Sequence, residues 1–304
     1  MEDLIIIGAG PAGLTAGLYA ARARLKTLML EKLSPGGQVL MTDWVENYPG
    51  FPDGISGFDL VDKMRRQAEK FDLVIENQEV SRLELSPEKK VVVTEKGNLE
   101  TRALILTSGA TPRKLGIEGE ELLIGKGVSY CATCDGPFYR DQEVALIGGG
   151  DTAVEEEIFL TRFAAKVHLI HRRDELRATK LLRERVMALD QVNIVWDTVP
   201  TRIVGDTEVK GVDLKNVKTG KTSHLPVQGV FVFVGYIPNT ELVKGQLELD
   251  KWGFVVTNND MQTSVPGVFA AGDIRSKILR QIATAVGEGA TAVFAVERYL
   301  ESLK

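Results

Sequence analysis

The chain has 304 residues, 44% of them hydrophobic and 26% charged, as expected of a soluble protein with one large or two medium domains. Its net charge of −5 gives no reason to expect nucleic acid or an anionic membrane as partner. No apolar run reaches the ~20 residues of a membrane span, and Met1-Glu2-Asp3 followed by the short run Leu4 to Ile7 does not make a signal peptide.

Leu4 to Ile7 reads as a parallel strand buried on both faces. Gly8-x-Gly10-x-x-Gly13 follows directly, with Pro11 and Ala12 between its last two glycines. In this pattern the first glycine makes a tight turn, the second lets a pyrophosphate approach the backbone, and the third packs helix on strand. Pro11 suits the first helical position, where a missing N–H costs nothing. The helix is expected to run to about Arg24, and Lys26 to Leu30 to form the next strand, ending in Glu31. An acid so placed bonds ribose hydroxyls.

Ser34-Pro35-Gly36-Gly37-Gln38 and Glu46-Asn47-Tyr48-Pro49-Gly50-Phe51-Pro52 are turn-rich. They read either as surface connections or as backbone lying against a flat cofactor. A helix is expected over Gly57 to Phe71, with strands near Leu73–Ile75, Val80–Leu85 and Val91–Thr94 forming a small sheet layered on the first domain. Ala103 to Ala110 is another buried strand, which closes on small residues that include Gly109. Thr111-Pro112-Arg113 marks a domain crossing.

The only two cysteines stand in Tyr130-Cys131-Ala132-Thr133-Cys134-Asp135-Gly136. One turn brings residues three apart to one face, within the Cα separation of roughly 4.4–6.8 Å that a disulfide needs. A redox dithiol, half of a zinc site and a structural disulfide are the readings to weigh. No second CxxC exists, and His168, His171 and His224 lack zinc-finger spacing from the pair. A disulfide closing so short a loop constrains the unfolded chain little. A CxxC beside a βαβ pattern reads as redox.

Glu143 to Ile147 is the strand before a second fingerprint, Gly148-x-Gly150-x-x-Ala153, with Asp151 and Thr152 opening the following helix. Glu155, Glu156 and Glu157 lie early in that helix, where acids suit its N-terminal dipole. After the strand Lys166 to Ile170, the two fingerprints diverge. His171 stands as far beyond Gly148 as Glu31 does beyond Gly8, and it opens His171-Arg172-Arg173-Asp174-Glu175-Leu176-Arg177. The acid is replaced by cations. Arginine accommodates a 2′-phosphate where an acid bonds a bare ribose, so the first site suits FAD and the second NADPH. The alternative is a solvated basic face before a helix.

Strands near Val192–Trp196, Val199–Val204 and Gly211–Asn216 extend the second domain, and Gly229 to Val234 closes it. Val268 to Asp273 is again strand, glycine (Gly272) and acid, with a helix from near Gln281 towards Glu297. Asp273 either holds a ribityl hydroxyl or caps a helix.

Gly8-Ala9-Gly10-Pro11-Ala12-Gly13, Gly36-Gly37-Gln38, Cys131-Ala132-Thr133-Cys134-Asp135, His171-Arg172-Arg173-Asp174, Pro238-Asn239-Thr240, Ala271-Gly272-Asp273 and Arg280-Gln281 occur in that order. With them the chain resembles the low-molecular-weight thioredoxin reductases of bacteria, which are FAD- and NADPH-dependent pyridine nucleotide-disulfide oxidoreductases. The resemblance implies an α/β fold of two Rossmann-like dinucleotide-binding domains with three-layer ββα architecture. The FAD domain would comprise 1–111 and 244–304, and the NADPH domain, 112–243, would be inserted into it. It implies FAD contacts from Gly8, Gly10, Pro11, Ala12, Gly13, Glu31, Gly37, Gln38, Asn47, Gly109, Gly272, Asp273, Arg280, Gln281 and Ile282. NADPH contacts would come from Gly148, Gly150, Asp151, Thr152, His171, Arg172, Arg173 and Arg177. Cys134 would face the flavin, Cys131 would attack the disulfide of thioredoxin, and Asp135 would handle the proton. A homodimer is further implied; the working thiol pair itself points to a reducing cytoplasm, and no metal is expected. Thr107-Ser108-Gly109-Ala110 and Asp151-Thr152 depart slightly from the family pattern, and neither change removes a reacting group. Three other classes are a flavin oxidase, a ferredoxin-linked reductase and a nucleotide-sensing module. The basic triplet disfavours the first two, and the dithiol the third. The flavin absorbance after adding NADPH separates them.

Overall fold

The computed structural model describes residues 1–42 and 44–303. The chain divides into two units, Met1–Thr111 with Ile237–Lys304, and Pro112–Tyr236. The return to the first unit falls at Ile237, ahead of residue 244. The reason is local: Asn239 donates its N–H to Gly109 O and its Nδ2–H to Ser108 O, and Val243 is buried in the first unit's core.

In the first unit, Val74–Asn77, Thr27–Glu31, Glu2–Ile7 and the end of Gly97–Leu106 run parallel, with Val268–Ala270 alongside Leu104 to Leu106. The start of that long strand pairs antiparallel with Lys90–Thr94, which pairs with Val80–Leu85. Alternation along Glu2–Ile7 decides the layers, because successive side chains in a strand point to opposite faces. Leu4 and Ile6 pack with Leu14 and Ala16 of the first helix (Pro11–Arg22) and with Val293 and Val296 of the C-terminal helix (Ile282–Ser302). Ile5 and Ile7 pack with Val80, Leu83 and Val92 of the antiparallel strands. The continuous apolar run is therefore a strand buried on both faces, and each of these fully buried side chains contributes roughly 1.5–3 kcal/mol.

The second unit repeats the plan. Its parallel sheet has the order Val192–Val195, Lys166–Ile170, Glu143–Ile147, Gly229–Val232, Val128–Ser129. Val144 and Leu146 face the helix Asp151–Leu160, whereas Ala145 and Ile147 face the antiparallel sheet of Thr198–Val204, Gly211–Asn216 and Thr222–Leu225. Each unit is thus a three-layer ββα arrangement with a Rossmann-like parallel sheet.

Several boundaries differ from expectation. The first helix ends at Arg22, and the one expected to Phe71 ends at Glu69. Thr222–Leu225 is a strand with no strong sequence signal: its side chains are mostly exposed, and it is held by pairing with Val212 to Lys215 and by the packing of Leu225 on the core. Among the described residues no helix is long and apolar enough to cross a membrane.

Candidate functional site

Three local structures carry the chemistry-bearing residues, and the first is the turn after the N-terminal strand. Gly8 has φ +103°, and a Cβ there would lie 2.6 Å from Thr107 O. A Cβ on Gly13 would fall 1.9 Å from Gly8 O, so this glycine is what lets helix and strand approach. Gly10 is different: its φ is −74°, open to any residue, and its Cβ would approach nothing closer than Gly37 Cα at 4.0 Å. The fold itself makes no demand for glycine at position 10. The space fits a group that must lie against the backbone, at a helix N-terminus whose first N–H groups have no side-chain cap. Glu31 is fixed beside this turn, accepting from Ala9 N–H at 2.7 Å and Leu33 N–H at 2.9 Å. Gly37, with φ +60°, comes close on the other side, since its Cβ would lie 3.2 Å from Gly10 Cα. Gln38 is exposed on the short helix that Gly37 begins.

Gly272, with φ +82°, packs against this turn, its Cβ 2.9 Å from that of Ala12. Its N–H donates to Glu288 at 2.7 Å, and Glu288 also pairs with Arg275 at 3.0 Å and Lys277 at 3.3 Å. Lys277 in turn pairs with Asp273 at 3.0 Å. Asp273 is not the helix cap. That place is taken by Gln281, which forms a reciprocal capping box with Thr284 ahead of Ile282. Gln281 also accepts from Asn47 Nδ2–H at 3.1 Å, and the Arg280 guanidinium lies 4.0 Å from the Phe254 ring centre. The first unit therefore gathers Gly8, Gly10, Pro11, Ala12, Gly13, Glu31, Gly37, Gly272 and Asp273 around one strand-end turn, with Asn47 joined to Gln281. Gly109 (φ +69°) lies just beyond the end of the neighbouring strand.

The second structure is a cleft of ≈ 380 Å³ in the second unit, lined among others by Gly149, His171, Arg172, Arg177, Thr198 and Phe233. Gly150 has φ −91° and open space where a Cβ would be, as Gly10 has. Gly148 approaches Ala153 closely, with the built Cβ 2.5 Å from the alanine's. The basic segment is tied to this turn at three points: Arg177 N–H donates to Gly149 O at 2.7 Å, Thr179 N–H to Asp151 Oδ1 at 2.7 Å, and the His171 ring lies 2.5 Å from Gly148 O. His171 is buried, its other nitrogen 3.0 Å from Glu175 O, so it builds the turn. Arg172, Arg173 and Arg177 are exposed and pair with no carboxylate among the described residues. The nearby acids are already engaged, Asp174 by Lys218 at 2.8 Å and Glu175 by Arg183. Arg172 and Arg177 line the cleft together, Arg173 is adjacent in sequence only, and Thr152 is exposed at the helix start.

The third structure is the cysteine turn. Cys131 and Cys134 form a disulfide with Cα atoms 5.3 Å apart, across the helical turn Ala132–Asp135. Cys131 Sγ accepts from Cys134 N–H at 3.2 Å and lies 3.3 Å from Thr133 Oγ1. Cys131 N–H donates to Ser129 Oγ at 3.1 Å. Tyr130 is held at both ends: its hydroxyl donates to buried Glu120 at 2.8 Å, and its carbonyl accepts from Tyr236 OH at 3.1 Å. Burial and then the Glu120 bond raise the Tyr130 phenol. Burial, with the charge of Asp135 adding to it, pushes the Tyr139 phenol up to about 12. Sequence reasoning missed Thr133, Ser129, Glu120 and Lys277. Of these only Thr133 left a signal, a hydroxyl inside the CxxC loop.

Two Rossmann-like units, one carrying a CxxC disulfide, define a nucleotide-linked disulfide oxidoreductase. The sequence matches the model of the pyridine nucleotide-disulphide oxidoreductase family over residues 2–289, and the chain belongs to that family. It is 47% identical to the thioredoxin reductase of Peptoclostridium litorale, over 99% of this chain and 98% of that protein. It is 50% identical to the thioredoxin reductase of Mycolicibacterium smegmatis, over 99% and 97%. Its fold matches that of the thioredoxin reductase from Streptococcus pyogenes with a TM-score of 0.95 at 48% identity, covering 99% of both chains. The chain is thus an oxidoreductase of a family that uses a flavin and a pyridine nucleotide.

Proposed function

We propose that the protein is an NADPH-dependent thioredoxin-disulfide reductase. The observation that carries this reading is the Cys131–Cys134 disulfide, set in a unit that also holds a glycine turn flanked by uncommitted arginines. Similarity to named thioredoxin reductases over nearly the whole chain supports thioredoxin as the partner.

In this reading the first unit (1–111 with the C-terminal segment) holds FAD. Glu31 and the N–H groups after Gly10 are placed for ribose and pyrophosphate, and Asp273, Asn47, Arg280, Gln281 and Ile282 for the rest of the molecule. Gly150 and Thr152 open the pyrophosphate site of NADPH in the second unit, while Arg172, Arg173 and Arg177 take its 2′-phosphate. When bound, the two cofactors supply the hydride chemistry that reduces the disulfide. The dithiol then works through its own residues. Cys131, as thiolate, attacks the disulfide of thioredoxin and forms a mixed disulfide, which Cys134 resolves. Asp135, next to the inner sulfur, carries the proton. We further propose a homodimer in the cytoplasm, where a working dithiol stays reducible.

NADPH-driven reduction of a bacterial thioredoxin by the purified protein, followed by its free thiols, tests the reading. Flavin bleaching by NADPH with no thioredoxin reduction would assign the dithiol another disulfide partner. Static light scattering tests the dimer.

A further inference from the structure

The two sulfurs of the disulfide sit in unequal surroundings. Cys131 Sγ receives the Cys134 N–H at 3.2 Å and has the Thr133 hydroxyl at 3.3 Å, while among the described residues Cys134 Sγ receives no such donor. A disulfide sulfur carries no proton, so in the Thr133–Cys131 contact the hydroxyl must be the donor. Thr133 is half-buried, and its backbone belongs to the turn between the cysteines.

We propose that Thr133 is a catalytic residue that holds the negative charge on Cys131 when the disulfide is reduced. This rests on the thioredoxin-reductase reading and extends it to the residue that decides which sulfur is the nucleophile. Reduction of the disulfide by two electrons with uptake of one proton leaves one thiolate and one thiol. The electrons come from the pyridine nucleotide that the family's activity supplies. Both donors converge on Cys131, so the charge resides there and the proton on Cys134. The Cys131 thiolate then forms a new S–S bond to thioredoxin as the thioredoxin disulfide breaks, and the departing thioredoxin sulfur leaves as a thiolate that takes up a proton. A hydrogen bond to a charged group is strong enough to move a thiol's titration by about one pH unit.

The test needs neither NADPH nor thioredoxin, so its outcome is independent of whether thioredoxin is the partner. The enzyme as isolated is chemically reduced, freed of reductant, and alkylated with iodoacetamide between pH 5 and pH 10. Alkylation of Cys131 and Cys134 is followed separately by peptide mass spectrometry. Cys131 is expected to titrate below Cys134. Thr133→Val, which keeps the side-chain shape, should raise the Cys131 midpoint by about one pH unit, with up to about tenfold slower alkylation at pH 7 and the same plateau rate at high pH. Thr133→Ser, which restores the hydroxyl, should return the wild-type midpoint. Any of four results would overturn the proposal: an unchanged midpoint in Thr133→Val, a changed plateau without a midpoint shift, a Thr133→Ser profile like that of the valine variant, or Cys134 titrating below Cys131.

Discussion

Replacing Gly13 and Gly10 separately by alanine divides the first fingerprint into the part the fold needs and the part a ligand needs. At Gly13 the new Cβ would sit 1.9 Å from Gly8 O and 2.8 Å from Thr107 Oγ1. Carbon and oxygen rest more than 3 Å apart, so the first helix must move over 1 Å from its strand, and both are buried. Overpacking of this kind costs typically 1–3 kcal/mol. The obstacle is backbone rather than a flexible side chain, so about 3 kcal/mol is the working figure. That is roughly a hundredfold in the folding equilibrium and a fall in Tm of about 6–12 °C for a unit of this size. At Gly10 the protein offers no obstacle, the nearest atom being 4.0 Å away. Gly10→Ala should melt within about 2 °C of wild type once both are stripped of flavin, since changes of this kind lie within about ±0.5 kcal/mol. It should nonetheless lose at least tenfold in FAD affinity. Calorimetry of the stripped proteins and fluorescence titration with FAD give both numbers. Equal melting of Gly13→Ala and wild type, or undiminished FAD binding by Gly10→Ala, would refute the assignment of the two glycines.

Arg172→Gln and Arg177→Gln should each lower kcat/KM for NADPH roughly tenfold to hundredfold while leaving NADH almost unchanged, because each removes a charge-assisted bond to the 2′-phosphate alone. Cys134→Ser should trap a mixed disulfide through Cys131 with a thioredoxin that lacks its own resolving cysteine, as read by mass spectrometry, and Cys131→Ser should trap far less. Asp135→Asn should slow thioredoxin reduction by about 10²–10⁴-fold with an unchanged melt, the loss expected of a removed acid–base group. Glu157 is fully buried with neither carboxyl oxygen hydrogen-bonded among the described residues, and burial holds its carboxyl well above the ordinary value. Burial, with the neighbouring charge of Glu155 adding to it, also pushes Glu156 up to about 7. Both groups keep their protons in the folded protein at pH values where the unfolded chain has lost them. Their contribution is therefore complete below the usual carboxyl range and shrinks as pH rises, for Glu156 up to about 7. Glu157→Gln should flatten the fall of Tm between pH 5 and pH 8 and melt a few degrees above wild type at pH 8; parallel melting curves would sink that reading.

Features written in consecutive residues are legible in the sequence itself. Leu4 to Ile7 signal a strand buried on both faces because each side of it is apolar, and both sides find a core. The fingerprint glycines can be given separate duties, and the built Cβ contacts at Gly8 and Gly13 follow the tight turn and the helix packing, while Gly10 has open space there. The cysteine pair is legible for the same reason, since one turn of backbone suffices to close it.

What the sequence determined by itself was therefore the set of strands, turns and reactive groups fixed by bonds within about one turn of chain. The tertiary structure decided which distant groups share those turns. Glu288 reaches Gly272, Arg275 and Lys277 only because the C-terminal helix crosses the end of the Val268–Ala270 strand. Gln281, directly ahead of Ile282, caps that helix, while Asp273 pairs with Lys277. Glu120 meets Tyr130, and Thr179 meets Asp151, through folded loops whose paths no local periodicity encodes. Even the contact of the Thr133 hydroxyl with Cys131, inside the most conspicuous motif of the chain, is not written in the letters CxxC. Hydrogen bonds and ion pairs need partners placed to within a few tenths of an ångström. Between residues far apart in the chain, only the assembled sheets and helices set distances that finely.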